Sequence, residues 1–374
     1  MGDYLDEEDM RRLQSMKRKQ ERKRREREQE LRRNLFKLGL AVICAVAVLG
    51  VFTVISSIVK GRHIKDTKEG ILPQKGVQSL LAAKVKKEES KDAEEETASV
   101  KEEEHSYKYA MTENTSELTS QIISSHAIFL DMEEQTVLAC KDAMSRIVPA
   151  SMTKVLTLLV AVENIDNFDD EFTITQEITE YCYVHGCSST GYEKGEKVTV
   201  RDLLYATVLP SGADAALGLA HYVSGSQEAF VELMNKKLEE LGLSETTHFT
   251  NCVGIYEEDH YCTIYDMAMI MEAALQNETC LEVLSTRTYI TSKTEQHPEG
   301  IPLSNWFIRR IEDKDTAGLF VGGKTGYVEQ SGSCAASFGT DENGKKYICV
   351  TTNADSKWGC IDDHAYMYAH FASK

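Results

Sequence analysis

Apolar and polar positions divide the chain into three regimes. Leu38 to Val59, LGLAVICAVAVLGVFTVISSIV, runs for 22 residues without a charge. At about 1.5 Å per residue such a helix crosses a hydrocarbon core of ~30 Å, so the pattern predicts one membrane span. The run is too long, and lies too far behind a charged arm, for a cleaved signal peptide. Residues 60–118 are rich in Lys, Glu, Ser and Asp, as in KVKKEESKDAEEETASVKEEE. They hold too little apolar surface to offset chain entropy and read as a disordered spacer.

Periodicity returns near residue 119. His126–Leu130 and Val137–Lys141 are short apolar runs around Asp131-Met132-Glu133-Glu134, which reads as a hairpin. Thr153–Glu163, TKVLTLLVAVE, is apolar on nearly every face and predicts a helix in the middle of a domain. Thr199 with Asp202, and Thr263 with Asp266, have the spacing of a capping box. Residues 227–241 form an amphipathic helix stopped by Gly242. Strand patterns follow at Gly318–Thr325, Ser333–Gly339 and Lys346–Thr352, the last two around the hairpin dipeptide Asn343-Gly344. A last helix is expected over Ile361–Phe371. Strands at both ends around a helical middle predict an α/β domain over residues 119–374.

Charge supplies the topology. The chain of 374 residues carries a net −18, which argues against nucleic acid as a partner. Residues 1–37 hold 13 Lys/Arg and 9 Asp/Glu, a net of +4, leaving −22 on the rest. A basic arm ahead of the span keeps the N-terminus in the cytoplasm. The expected layout is a cytoplasmic arm (1–37), a transmembrane helix (38–59), a charged linker (60–118) and an extracellular domain (119–374).

Three short motifs carry candidate chemistry. Pro149-Ala150-Ser151-Met152-Thr153-Lys154 places Ser151 and Lys154 three residues apart, on one helical face. A serine hydroxyl needs an adjacent base, and a lysine serves only when burial or a second cation lowers its pKa. By itself S-x-x-K is weak; Ser57 and Lys60 match it too, at the membrane edge. Lys324-Thr325-Gly326 closes a predicted strand, where a lysine and a hydroxyl can hold a carboxylate beside a glycine that admits substrate backbone. Leu209-Pro210-Ser211-Gly212-Ala213-Asp214 lies between two helices; Ser211 could relay a proton, and Asp214 reads as an N-cap.

The order S-x-x-K, S-x-x, K-T-G resembles the signature set of active-site serine penicillin-recognising enzymes. PASMTKVLTLL, VTVRDLLYATVLPSGADAALGLAHYVSGS, FVELMNKKLEELGL and THFTNCVGI extend the resemblance to the low-molecular-mass D-Ala-D-Ala carboxypeptidases over about residues 122–374. The resemblance implies a penicillin-binding-protein/serine β-lactamase-like fold, with an antiparallel sheet flanked by helices and a helical subdomain. It implies Ser151 as nucleophile, Lys154 as its base and Ser211 as proton relay to the leaving group. Lys324 would set the local field, Thr325 would bind the terminal carboxylate beside Gly326, and the N–H groups of Ser151 and Tyr327 would form the oxyanion hole. The implied partners are peptidoglycan stem peptides, with β-lactams as inhibitors. No metal or organic cofactor is implied.

The sequence departs from this family at three points. Ala213 stands where the middle motif usually has Asn, which opens a second reading as a catalytically weak D-Ala-D-Ala or β-lactam binding module. A third reading, a β-lactamase, would require a carboxylate placed to activate the deacylating water. The chain ends soon after its last predicted helix, so the N-terminal span is expected to replace the C-terminal anchor of many relatives. Cysteines are many: Cys44 in the span and nine beyond it. A two-residue turn at Asn343-Gly344 would put Phe338 opposite Cys349, leaving Cys334 four residues, or ~13 Å, out of register for a disulfide. Cys182 and Cys187 could close a loop. His248, Cys252, His260 and Cys262 fit zinc-ligand spacing only loosely, and a metal is not expected there.

Overall fold

The computed structural model describes residues 108–372. The expected membrane span and most of the linker lie outside them; no helix among the described residues is long and apolar enough to cross a membrane.

A six-stranded sheet runs in the order Ala110–Glu117, Thr136–Lys141, His126–Asp131, Lys346–Ala354, Gly332–Thr340, Phe320–Val328. Alternation along the strands sorts its side chains to two cores. Ile128, Leu130, Ile348 and Val350 face a large helical core built around the helix Lys154–Glu163. Ala127, Phe129, Tyr347 and Cys349 face the C-terminal helix Lys357–Phe371. There Phe129 stacks on Tyr347 and meets Tyr368 edge-on. This period of two is why both faces of the central strands are apolar.

The helix Lys154–Glu163 is buried at nine of its ten residues, as its all-round apolar pattern requires. Both capping boxes form, Thr199 with Asp202 and Thr263 with Asp266. The helix Gln227–Glu240 ends at Gly242, whose φ of +74° completes the turn-out.

The fold differs from the pattern-based expectation in three places. Ala110–Glu117, placed in the spacer by its polar sequence, is an edge strand paired parallel to Thr136–Lys141, so the sheet is not wholly antiparallel. It is held by backbone pairing and by Thr115 Oγ1 donating to the Val137 carbonyl at 2.7 Å, neither of which leaves an apolar signature. The Asn343-Gly344 hairpin closes through a five-residue loop: the Asp341 carboxylate accepts from the amides of Asn343 and Lys345, both at 2.8 Å. Register moves by one, so Phe338 faces Ile348 and Cys349 faces Ser337. The last helix begins at Lys357, four residues early, because Ser356 caps it by accepting from Gly359 N. On the cysteines, whose pairing the sequence leaves open, Cys140, Cys182, Cys187, Cys252, Cys262, Cys280, Cys334, Cys349 and Cys360 all carry free thiols.

Candidate active site

The segment Ala150–Thr153 is a tight 3-10 turn that feeds directly into the helix Lys154–Glu163. In that turn residues three apart eclipse, and Lys154 Nζ lies 3.1 Å from Ser151 Oγ. A second bond, to the Val253 carbonyl at 2.6 Å, fixes the ammonium. Lys154 is only 2 % exposed. Burial is the main reason its pKa falls to about 8, while Cys187, Cys252, Cys182 and Asp214 pull weakly the other way.

The loop that presents the Val253 carbonyl is shaped by Asn251. Its Oδ1 accepts from the amides of Val253, Gly254 and Ile255 at 3.3, 2.7 and 3.2 Å. Gly254 sits at φ +79°, and a Cβ there would come within 1.9 Å of the Ala150 carbonyl oxygen. Only glycine lets this loop press against the nucleophile turn.

Lys324 comes from the edge strand Phe320–Val328, where it is 1 % exposed. Its Nζ donates to Ser211 Oγ at 2.8 Å and to the Thr325 carbonyl at 2.6 Å. Burial drives its pKa well down, and the charges of Lys154 and Arg310 add to the effect. Asn305 holds the strand from behind, donating to the Gly323 carbonyl at 3.1 Å. A Cβ on Gly326 would stand 3.0 Å from Ser151 N, so this glycine sets how closely the strand passes the nucleophile. Ala150 and Ser211, neither a glycine, occupy positive φ at 48° and 65°. Such conformations cost about 1–3 kcal/mol each and persist where the surroundings dictate them.

These groups line one cleft of about 550 Å³. The structure brings Ser151, Lys154, Ser211, Thr325, Gly326 and Tyr327 to its wall, with Lys324 directly behind Ser211. Tyr327 stands at the rim, 68 % exposed. Ala213 does not line the cleft; it is buried, and its amide donates to the Ser188 carbonyl at 2.8 Å. Asp214 is not the N-cap of the helix Ala213–Ser224, which is Gly212. Its carboxylate instead accepts from Ser189 Oγ and from the amides of Thr190 and Gly191, pinning the loop at the cleft mouth.

Reasoning from motifs missed Asn251, Asn305, Trp306 and Arg310. Asn-Cys-Val-Gly at 251–254 carried a turn signal that could have flagged the first. The loosely spaced His248, Cys252, His260 and Cys262 have other partners. His260 accepts from Thr250 N at Nδ1 (3.0 Å) and meets Thr153 Oγ1 at Nε2 (2.8 Å), beneath the nucleophile turn. Cys252 Sγ faces the Ala216 carbonyl, and His248 Nδ1 the Asp259 carbonyl. Among the described residues no group of three His, Cys, Asp or Glu is placed to hold a metal.

Residues 110–356 match the family profile described as D-alanyl-D-alanine carboxypeptidase. The chain is 36% identical to D-alanyl-D-alanine carboxypeptidase DacF of Bacillus subtilis over 183 residues, 49% of this chain and 46% of DacF. It thus spans about half the length of that relative. It is 35% identical to a D-alanyl-D-alanine carboxypeptidase of Streptomyces sp. over 228 residues, 57% of this chain and 75% of the relative. The crystal structure of the Streptomyces K15 DD-transpeptidase matches with a TM-score of 0.60 at 27% identity, covering 68% of this chain and 98% of that one. The likeness supports a penicillin-binding-protein/β-lactamase-like α/β fold, and with two thirds of its length matched by the profile, this chain belongs to the D-alanyl-D-alanine carboxypeptidase family.

Proposed function

We propose that the protein is a serine D-Ala-D-Ala carboxypeptidase that removes the terminal D-Ala from peptidoglycan pentapeptide stems. The observation that carries this reading is a pair of hydroxyl–lysine couples in one cleft: Ser151 with Lys154 at 3.1 Å and Ser211 with Lys324 at 2.8 Å. Lys154 in its neutral form takes the proton from Ser151 Oγ as the oxygen attacks the carbonyl of the terminal bond. The N–H groups of Ser151 and Tyr327 receive the oxyanion. Ser211, bonded to Lys324, passes a proton to the departing D-Ala nitrogen. Thr325 takes the terminal carboxylate. Water then cleaves the acyl-Ser151 ester and regenerates the hydroxyl. Every step uses groups of the chain and water. β-Lactams, which mimic the terminal dipeptide, acylate the same oxygen.

The site belongs outside the cell, where its substrate is. The charge-free run 38–59 behind a basic arm supports a single-pass anchor with the N-terminus in the cytoplasm. The test is release of free D-Ala from a muropeptide pentapeptide by the full chain in detergent, with Ser151→Ala alongside. Release that the variant abolishes supports the reading. D-Ala leaves in either case, so cross-linked dimer in place of the hydrolysed tetrapeptide would move the assignment to acyl transfer, and no free D-Ala at all would overturn it.

A further inference from the structure

We propose that Cys187 and Cys182 form a thiol–disulfide exchange site on the cleft wall: Cys187 takes up low-molecular-weight disulfides, and Cys182 expels them by closing an intramolecular disulfide. The pair keeps the cleft free of thiol adducts. The inference rests on the reading above for where the domain works, outside the cell, where such disulfides persist. The exchange itself does not depend on which reaction Ser151 performs.

The geometry comes from the end of a helix. Gln176–Val184 closes with His185 as its C-cap and Gly186 at φ +62°. The Cys187 amide donates to the Cys182 carbonyl at 3.0 Å, and the Gly186 amide to the Tyr183 carbonyl at 3.4 Å. Two such nested bonds around a left-handed glycine are a Schellman turn, which brings its first and last side chains into contact. Here both of those residues are cysteines, and both are free thiols. A backbone bond between them sets their Cα atoms about 5–6 Å apart, within the span that a disulfide bridges without moving the chain. Cys182 belongs to the large helical core, and Cys187 packs against the same core.

The two thiols differ in access, and the difference assigns their roles. Cys187 is part-buried and lines the cleft beside His185, Gly186 and Ser188. Cys182 is buried and stands behind that wall. The other cleft-lining thiols, Cys334 and Cys360, are buried, facing the Pro149 carbonyl and Thr351 Oγ1. A disulfide entering from solvent therefore meets Cys187 first. The Cys187 thiolate attacks one of its sulfurs, the small disulfide bond breaks, and one thiol leaves with a proton. The remaining half is now bonded to Cys187 and occupies the cleft. It stands next to Ser188, whose carbonyl holds the Ala213 amide at 2.8 Å in the segment that carries Ser211. The Cys182 thiolate then attacks the Cys187 sulfur and displaces the second thiol. Two protein thiols are oxidised to one disulfide, and one small disulfide is reduced to two thiols. Burial raises the pKa of both thiols, so the exchange is slow at neutral pH and quickens in alkali.

The full chain in detergent would be incubated with glutathione disulfide at pH 9 and quenched in acid. Peptide mass spectrometry then locates the products, and a second portion is tested for acylation of Ser151 by a fluorescent penicillin. In wild type Cys182 and Cys187 should be joined to each other, without glutathione, and acylation should match the untreated protein. Cys182→Ser, and Cys182→Ala as a second variant, should acylate normally before treatment. After it they should retain glutathione on Cys187 and acylate about 10- to 100-fold more slowly, the scale for an obstructed reacting geometry. Dithiothreitol should restore them. Glutathione that stays on Cys187 in wild type overturns the proposal, as does a disulfide from either cysteine to Cys252. So does a Cys182→Ser protein that carries glutathione on Cys187 yet acylates at full rate, or a wild type in which neither cysteine reacts. If untreated wild type is not acylated at all, the catalytic reading fails on its own account. The mass spectra alone then decide the exchange: a Cys182–Cys187 bond in wild type and retained glutathione in Cys182→Ser support it, and any other pattern rejects it.

Discussion

The depressed pKa of Lys154 makes a quantitative prediction about pH. An ordinary lysine at 10.5 is neutral in only about three molecules in ten thousand at pH 7. At about 8, the neutral fraction is roughly one tenth at pH 7 and nine tenths at pH 9. Burial thus raises the population of the competent base about 300-fold, at a differential cost of about 3 kcal/mol against the charged form. The second-order rate constant for acylation of Ser151 by a fluorescent penicillin should therefore climb about tenfold from pH 7 to pH 9 and then level off. Lys324 sits in the same field, so the midpoint of that rise belongs to the two lysines together. Stopped-flow fluorescence from pH 6 to pH 10.5 would measure it. A rate that is flat across the range, or one still rising steeply at pH 10, refutes the claim that a desolvated Lys154 is the base.

Three further outcomes are expected. Gly254→Ala should cost about 2–5 kcal/mol and abolish acylation, because its Cβ collides with the Ala150 carbonyl at positive φ; Gly195→Ala, at φ +83° in open space, should cost only about 1–2 kcal/mol, and comparable melting temperatures for the two would sink this account. His260 and His364 are held neutral by burial, with pKa values pushed from 6.5 down to about 3. The unfolded chain binds more protons below pH 6.5, so stability should fall as pH drops from 6.5 towards 3, by up to ~1.4 kcal/mol per pH unit for each histidine; unchanged melts between pH 6.5 and 5 would contradict it. Burial raises the thiol pKa of Cys187, and more fully that of Cys252 and Cys334, up to about 12. Cys187 lines the cleft and is only part-buried, so iodoacetamide at pH 7 should label it slowly yet before Cys252, as read by peptide mass spectrometry; the reverse order would be inconsistent with this geometry.

Much of this protein is legible in its residues because the relevant signals are local. The all-apolar helix after Ser151, the capping boxes at Thr199 and Thr263 and the stop at Gly242 depend on neighbours within a turn or two. The three motifs were legible for a related reason: side-chain chemistry needs particular residue types at particular spacings. Other features depended on backbone and tertiary contacts that leave no pattern of residue types. Asp341 bonding to Lys345 N moved a hairpin register by one residue, against the expectation from Asn343-Gly344. The polar strand Ala110–Glu117 exists because the Thr136–Lys141 edge was open to backbone pairing, which no side-chain pattern records. Lys154 and Lys324 are named by motif, but their depressed pKa values come from burial, and burial is a property of the assembled cores. A sequence lists charges; only the tertiary structure decides which of them have found a partner and which remain available to a substrate.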